Sequence, residues 1–233
     1  MEDRPSAAPS PIDATHAPSP DAGADVAGRD RFPWPPAARE PVLSALAETW
    51  RRCMFEPTRF FRSLAPDAPL GPALVYAIGL GVLSAGVSLF WGALFTFAGV
   101  SEGFLAALVG AGGDWGASIV SFLLSPLLML VGLYVGAAIY HVGLVIVSGA
   151  SKGFGATLRV GCYAWSPDIL LVVPVIGHLV AFVWSIVLII IGAREVHGTS
   201  TARAAAAMLL PFLLAMGLLF MIAFFAALFT LEA

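Results

Sequence analysis

Long apolar runs with short polar interruptions fill the chain from residue 72 onward. Runs over 72–100, 117–148 and 204–230 each exceed the ~20 residues that a helix needs to cross the hydrocarbon of a bilayer. The linker between the first two, SEGFLAALVGAGGDWG, carries Glu102 and Asp114 but no Lys or Arg. Residues 169–193 can be read as one span, which would send Arg194 and Arg203 to the opposite side from Lys152 and Arg159. Cytoplasmic loops collect Lys and Arg, so two arms fit better: about 156–175, a turn at Gly177-His178, then 179–193. All 12 Lys and Arg then lie on one side, eight of them before the first span. The second arm is roughly 24 Å long, slightly short of the hydrocarbon. A re-entrant hairpin gives the same charge distribution, so both forms stay open. The expectation is an all-α integral membrane protein, a five-segment helical bundle at about 72–100, 117–148, 156–175, 179–193 and 204–230, with a cytoplasmic amino terminus.

Two segments precede the bundle. Residues 1–41 hold nine of the 17 prolines among Ala, Asp and Ser, too few large apolar groups to offset the entropy of ordering. They form a disordered tail without the basic start and apolar stretch of a signal peptide. Residues 42–64 interleave Trp50, Phe55, Phe60 and Phe61 with Arg59 and Arg62, a mixture suited to the headgroup boundary. A helix pair at the interface and a pair packed on the bundle are equally compatible with that pattern. Pro57 after Glu56 marks the start of a new helical turn.

Composition narrows the class. The 233 residues are 59% hydrophobic and 12% charged, with a mean hydropathy of +0.89. Soluble domains carry roughly 45–50% apolar and about 25% charged residues, so a soluble particle is excluded. A net charge of −3 argues against a nucleic-acid partner. Cys53 and Cys162 have no metal or redox spacing.

Small residues recur at steps of three or four in the first two spans: Gly81, Ala85, Ser88 and Gly92, then Gly132, Gly136 and Gly143. Such stripes let helix backbones approach closely in lipid. Packing of the two spans within one chain is the first reading, and a homo-oligomer interface is the rival. Pro126, Pro167, Pro174 and Pro211 each remove a backbone donor inside an apolar segment. Ser166-Pro167-Asp168 reads as a helix start at membrane depth, with Ser166 as cap and Asp168 at the positive end of the dipole. A carboxylate there needs a partner or a proton, and Arg159 is near in sequence. Asp168, Arg159, Tyr140 and His141 are therefore the candidate polar membrane site, whether as a capped break or as an ion site on a broken helix. His178 falls at the hairpin turn and His197 in a polar loop beside Arg194 and Glu195. No Gly-x-Ser-x-Gly, His-Glu-x-x-His or phosphate loop occurs, so no enzyme, metal or cofactor is expected.

The order of these features resembles a known family. Phe55-Glu-Pro-Thr-Arg-Phe-Phe61 precedes a first span that opens at Leu70-Gly71-Pro72. Gly153-x-Gly155, Tyr163 with Pro167 four residues on, Pro174-Val-Ile-Gly177, Trp184 and Ile190-Ile191-Gly192 follow in turn. The pattern is similar to that of the Yip (Ypt-interacting protein) domain family of five-span membrane proteins in its bacterial form, over about residues 45–230. That resemblance implies a multi-spanning protein without catalytic activity. Its eukaryotic members bind Rab-type GTPases in vesicle traffic, whereas the short loops here leave little surface for a GTPase. The partners expected are the lipid bilayer, further copies of the chain and proteins at the cytoplasmic face of a bacterial inner membrane. The role expected is scaffolding or recruitment, with transport of an ion or small solute near Asp168 as the alternative.

Overall fold

The computed structural model describes residues 32–100, 102–103 and 113–231, and among these the regular structure is helical. Most of the acidic, proline-rich tail and of the 101–112 linker lie outside the described residues. The helices are α1 (Val42–Phe55), α2 (Pro57–Ser63), α3 (Leu70–Phe97), α4 (Trp115–Ile146), α5 (Gly153–Ala164), α6 (Ile176–His197) and α7 (Thr201–Leu231). A 3₁₀ segment, Ser166–Val172, joins α5 to α6. Among the described residues α3, α4 and α6 are each long and apolar enough to cross a membrane. The protein is an all-α membrane protein.

Helix starts follow local chemistry. Asp114 caps α4, its carboxylate accepting from the backbone N–H of Ala117 at 2.9 Å, which satisfies one of the orphan donors of the first turn. The helix therefore begins two residues before the apolar run suggests. At the other end of α6, Gly198 adopts the left-handed conformation (φ 66°) that glycine tolerates. Arg194 and Glu195 do not stop this helix. Glu195 pairs with Arg62 of α2 at 3.0 Å and with Arg194 at 2.6 Å, so α6 carries its charges onward to His197.

The 156–193 region differs in detail from the expectation. Its first arm breaks where Ser166-Pro167 stand, but into a 3₁₀ segment and not a new α-helix: α5 has twelve residues, eight of them buried, before the chain tightens. Its second arm is longer than expected, 22 residues or about 33 Å. The two arms run antiparallel, with Val160 beside Gly192 and Leu170 beside Gly177. The reversal is not at Gly177-His178 but at Pro174–Ile176, where the N–H of Ile176 donates to the carbonyl of Pro174 at 2.8 Å. Val175 sits at φ 67° there, a strained conformation for a β-branched residue. Gly177 instead permits close approach of the two arms, because a β-carbon there would overlap the Leu170 carbonyl. The first arm reaches the level of Trp91, whose Nε1 donates to the Val172 carbonyl at 3.1 Å.

The largest buried side chains gather around α5, and a second apolar cluster of Tyr140, Leu144, Ala193, Ala204 and Ala207 joins α4, α6 and α7. Tyr163 packs on Phe60 and Tyr76 with ring centroids 5.2 Å apart in each case. Cys53, Phe60, Phe61, Tyr76 and Leu158 are almost fully buried. Long apolar side chains of α3 and α4, such as Phe90, Leu123 and Leu127, are exposed, as expected of a surface solvated by lipid. Residues 33–41, assigned to the tail from composition, are partly integrated. Trp34 is buried, donates from Nε1 to the Pro72 carbonyl at 2.6 Å and lies against Tyr76.

Candidate functional site

The α5 break organises one polar knot. Its last turn frees the Tyr163 carbonyl, and the Ser166 hydroxyl folds back to donate to it at 2.6 Å. The same hydroxyl meets the Tyr76 hydroxyl at 2.8 Å. Trp50 of α1 donates from Nε1 to the Ser166 carbonyl at 2.9 Å, and the Cys53 thiol reaches the Tyr163 carbonyl at 3.4 Å. Ser166 is thus no helix cap: no side-chain cap bond is made at the 3₁₀ start, and Trp165 occupies the cap position. The Ser166 hydroxyl is instead engaged with the Tyr163 carbonyl and the Tyr76 hydroxyl. Burial pushes the Cys53 thiol up to about 12, so it is a packing group and not a nucleophile.

This knot decides the position of α1 and α2. Of the two placements left open, Phe60 and Phe61 take the packed one and not the lipid headgroups: both are buried in the protein, with Phe61 against Gly192 of α6. Trp50 is half-buried and bound to Ser166. Phe55, Arg59 and Arg62 remain exposed, with Arg62 held by Glu195. Glu48 accepts from Arg51 at 2.8 Å and from Arg52 at 2.6 Å, and these hydrogen bonds, led by that of Arg51, lower its carboxyl to about 2.

A second polar chain ties α4, α5 and α6. Thr157 Oγ1 lies 2.8 Å from His141 Nδ1 and 2.9 Å from His197 Nε2. The backbone N–H of Lys152 donates to His197 Nδ1 at 3.2 Å. That donor sets the tautomer of neutral His197, which carries its hydrogen on Nε2 and donates to Thr157, leaving the Thr157 hydroxyl able to donate to His141 Nδ1. Ser151 closes the end by donating to the His197 carbonyl. Beside it the Tyr140 hydroxyl donates to the Ala204 carbonyl of α7 at 3.1 Å. His197 is therefore a buried helix residue, not a loop residue, and Thr157 is a partner that sequence alone did not single out. Gly198 after an imidazole in the last turn was the available signal.

The four expected polar residues do not form one site. His141 belongs to the chain just described, and Tyr140 lies beside it, hydrogen-bonded to Ala204 of α7. Arg159 donates to the Ala68 carbonyl and has Asp67 as its charged neighbour, so the expected pairing with Asp168 is not made. Asp168 faces a separate cavity of about 390 Å³ between the 3₁₀ segment, α6 and α7, shared with His178. The small-residue stripes also divide. Gly81 sits against Met129, and Gly143 is so close to α7 that a β-carbon would overlap the Ala207 carbonyl. A β-carbon on Gly132 or Gly136 would meet nothing within 4 Å. Those two line a cavity of about 190 Å³ and do not join α4 to α3. In α3 Gly92 is buried, whereas Ala85 and Ser88 are only half-buried.

The arrangement of aromatic and hydroxyl groups around the break after α5 accompanies a family match. The Yip1 domain profile covers residues 51–224, from the middle of α1 into α7. The chain belongs to the Yip1 domain family. No curated protein and no solved structure matches it. Within the matched residues fall the polar knot apart from Trp50, the His141–Thr157–His197 chain and the Asp168 cavity.

Proposed function

We propose that this Yip1 domain protein is a non-enzymatic membrane scaffold that recruits protein partners to the face made by α1 and α2, in a bacterial inner membrane with its amino terminus in the cytoplasm. One observation carries the reading: α1 and α2 are anchored to the bundle by Trp50, Cys53, Phe60 and Phe61, yet hold Leu43 (77% exposed) and Phe55 (70% exposed) outward. Apolar groups held outward on a fixed platform, beside Arg51 and Arg59, have the character of an interface anchor with a charged rim. Self-association through the same face would make the scaffold a homo-oligomer.

The test is photocrosslinking in intact membranes from positions 43 and 55. Protein adducts, to another copy or to a partner, are expected. Adducts to lipid alone would defeat the proposal. The alternative of solute or ion transport draws support from the Asp168 cavity. Flux in proteoliposomes that disappears in Asp168→Asn would replace the scaffold reading.

A further inference from the structure

The cavity around Asp168 is built like a binding site with its charge uncompensated. Its walls are mostly apolar, among them Trp165, Ile186, Ile189 and Met208. Among the described residues Asp168 has no side-chain hydrogen bond or ion pair, and no Lys or Arg lines the cavity. His178 lines it as well, and its Nδ1 is buried without a hydrogen-bond partner. A carboxylate taken out of water needs a cation, donors or a proton. A proton on Asp168 would remove the charge but leave the apolar space unfilled. Phe182, largely exposed, is part of the wall, so the cavity opens sideways onto the apolar surface of α6. The second cavity, lined by Gly132 and Gly136, shares Trp165, Ile189 and Met208 with the first and extends the apolar path toward α4.

We propose that this cavity binds an amine-bearing amphiphile, its ammonium group donating to the Asp168 carboxylate and its alkyl chain lying along Trp165, Ile189 and Met208. A primary ammonium has three donors and no acceptor, which complements a carboxylate without a protein donor. A volume of about 390 Å³ falls in the range of small-ligand sites. The head group supplies the missing positive charge, and the tail enters from the lipid side. Occupancy here leaves the α1–α2 face untouched, so recruitment and ligand binding fail or succeed separately.

The test uses the full chain in phosphatidylcholine nanodiscs with a photoreactive alkyl amine whose diazirine lies in the tail. Labelling is expected on the peptides carrying Trp165 and Ile189. Dodecylamine should compete about tenfold or more better than dodecanol, the worth of one charge-assisted hydrogen bond. Asp168→Asn should bring that ratio close to one, and Ser185→Phe, which narrows the cavity, should reduce labelling by every probe. Equal competition by amine and alcohol in the native chain, or labelling confined to other helices, would overturn the proposal. If Asp168→Asn fails to fold, the native amine-to-alcohol ratio and the Ser185→Phe result still decide.

Discussion

Two polar regions lie within the same helical hairpin and treat their polar atoms in opposite ways. Around Thr157 the hydroxyl and the facing imidazole nitrogens form one chain, ended by the backbone of Lys152. Around Asp168 the walls are apolar, and neither the carboxylate nor the buried His178 Nδ1 has a hydrogen bond among the described residues. In an environment without water, leaving a polar group unmatched costs far more than a matched pair gains. A saturated network therefore marks where the fold holds itself together, and a bare one marks where the fold leaves room for something else. The backbone shows the same division. α4 meets α7 in direct contact at Gly143, but seven residues earlier Gly136 faces open space.

That contrast is most easily broken through the glycines. Gly143→Leu should push α7 off α4 and destabilise the protein by more than the ~1–3 kcal/mol usual for an overpacked core, because the obstacle is the Ala207 backbone carbonyl and cannot change rotamer. Gly136→Leu should keep the native elution volume and melting temperature within a few degrees. The buried thiols of Cys53 and Cys162 give the readout, since a maleimide dye reaches them only when the core opens. Equal damage from both substitutions would remove the distinction between the two ends of α4.

Thr157→Val comes next. It keeps the shape of the side chain and removes the link between the two imidazoles, leaving His141 Nδ1 and His197 Nε2 without their partner. The expected loss is about 1–3 kcal/mol, visible as earlier thiol labelling on heating. At the bare region the sign should reverse. Asp168→Asn removes a charge that has no protein partner, so ligand-free protein should be as stable as the native chain or more stable by about 1 kcal/mol. A loss at Asp168 as large as that at Thr157 would show that the carboxylate has a structural partner.

Much of this was legible from sequence, for reasons that also explain what was not. The apolar runs gave α3, α4 and α7, because a bilayer demands length and apolarity and little else. The order of Phe55–Phe61, Tyr163, Pro167 and Gly192 was enough to indicate the Yip family. The break after Ala164 was visible in Ser166 and Pro167, but its internal geometry was not. Where Ser166 bonds depends on Tyr76, 90 residues away, and no local rule contains that. Charge misled at the end of α6, since Arg194 and Glu195 look like a loop until Arg62 is known to pair with Glu195. The stripe spacing was real, but which glycine makes the closest approach depends on where α7 meets α4. Arg159 was assigned to Asp168 by proximity in sequence, and the Ala68 carbonyl, distant in sequence, holds it instead.

The smallest effect lies on the water-facing side of the molecule, where the rule of unmatched groups weakens. Glu48 accepts hydrogen bonds from Arg51 and Arg52, and the Arg51 bond leads in lowering its carboxyl from 4.5 to about 2. Because the folded value is depressed, the stabilisation is fully present above the unfolded value near 4.5 and is lost as pH falls toward about 2. Solvent screens a group this exposed, so the contribution should stay below about 1 kcal/mol and move the melting temperature by about 2–4 °C at most. Melting curves between neutral pH and pH 3 should show the native chain losing slightly more than Glu48→Gln, with the gap closing in high salt. A gap as large as that of Thr157→Val would mean that Glu48 is held in a drier setting than its exposure indicates, and that α1 belongs with the saturated region rather than with the surface.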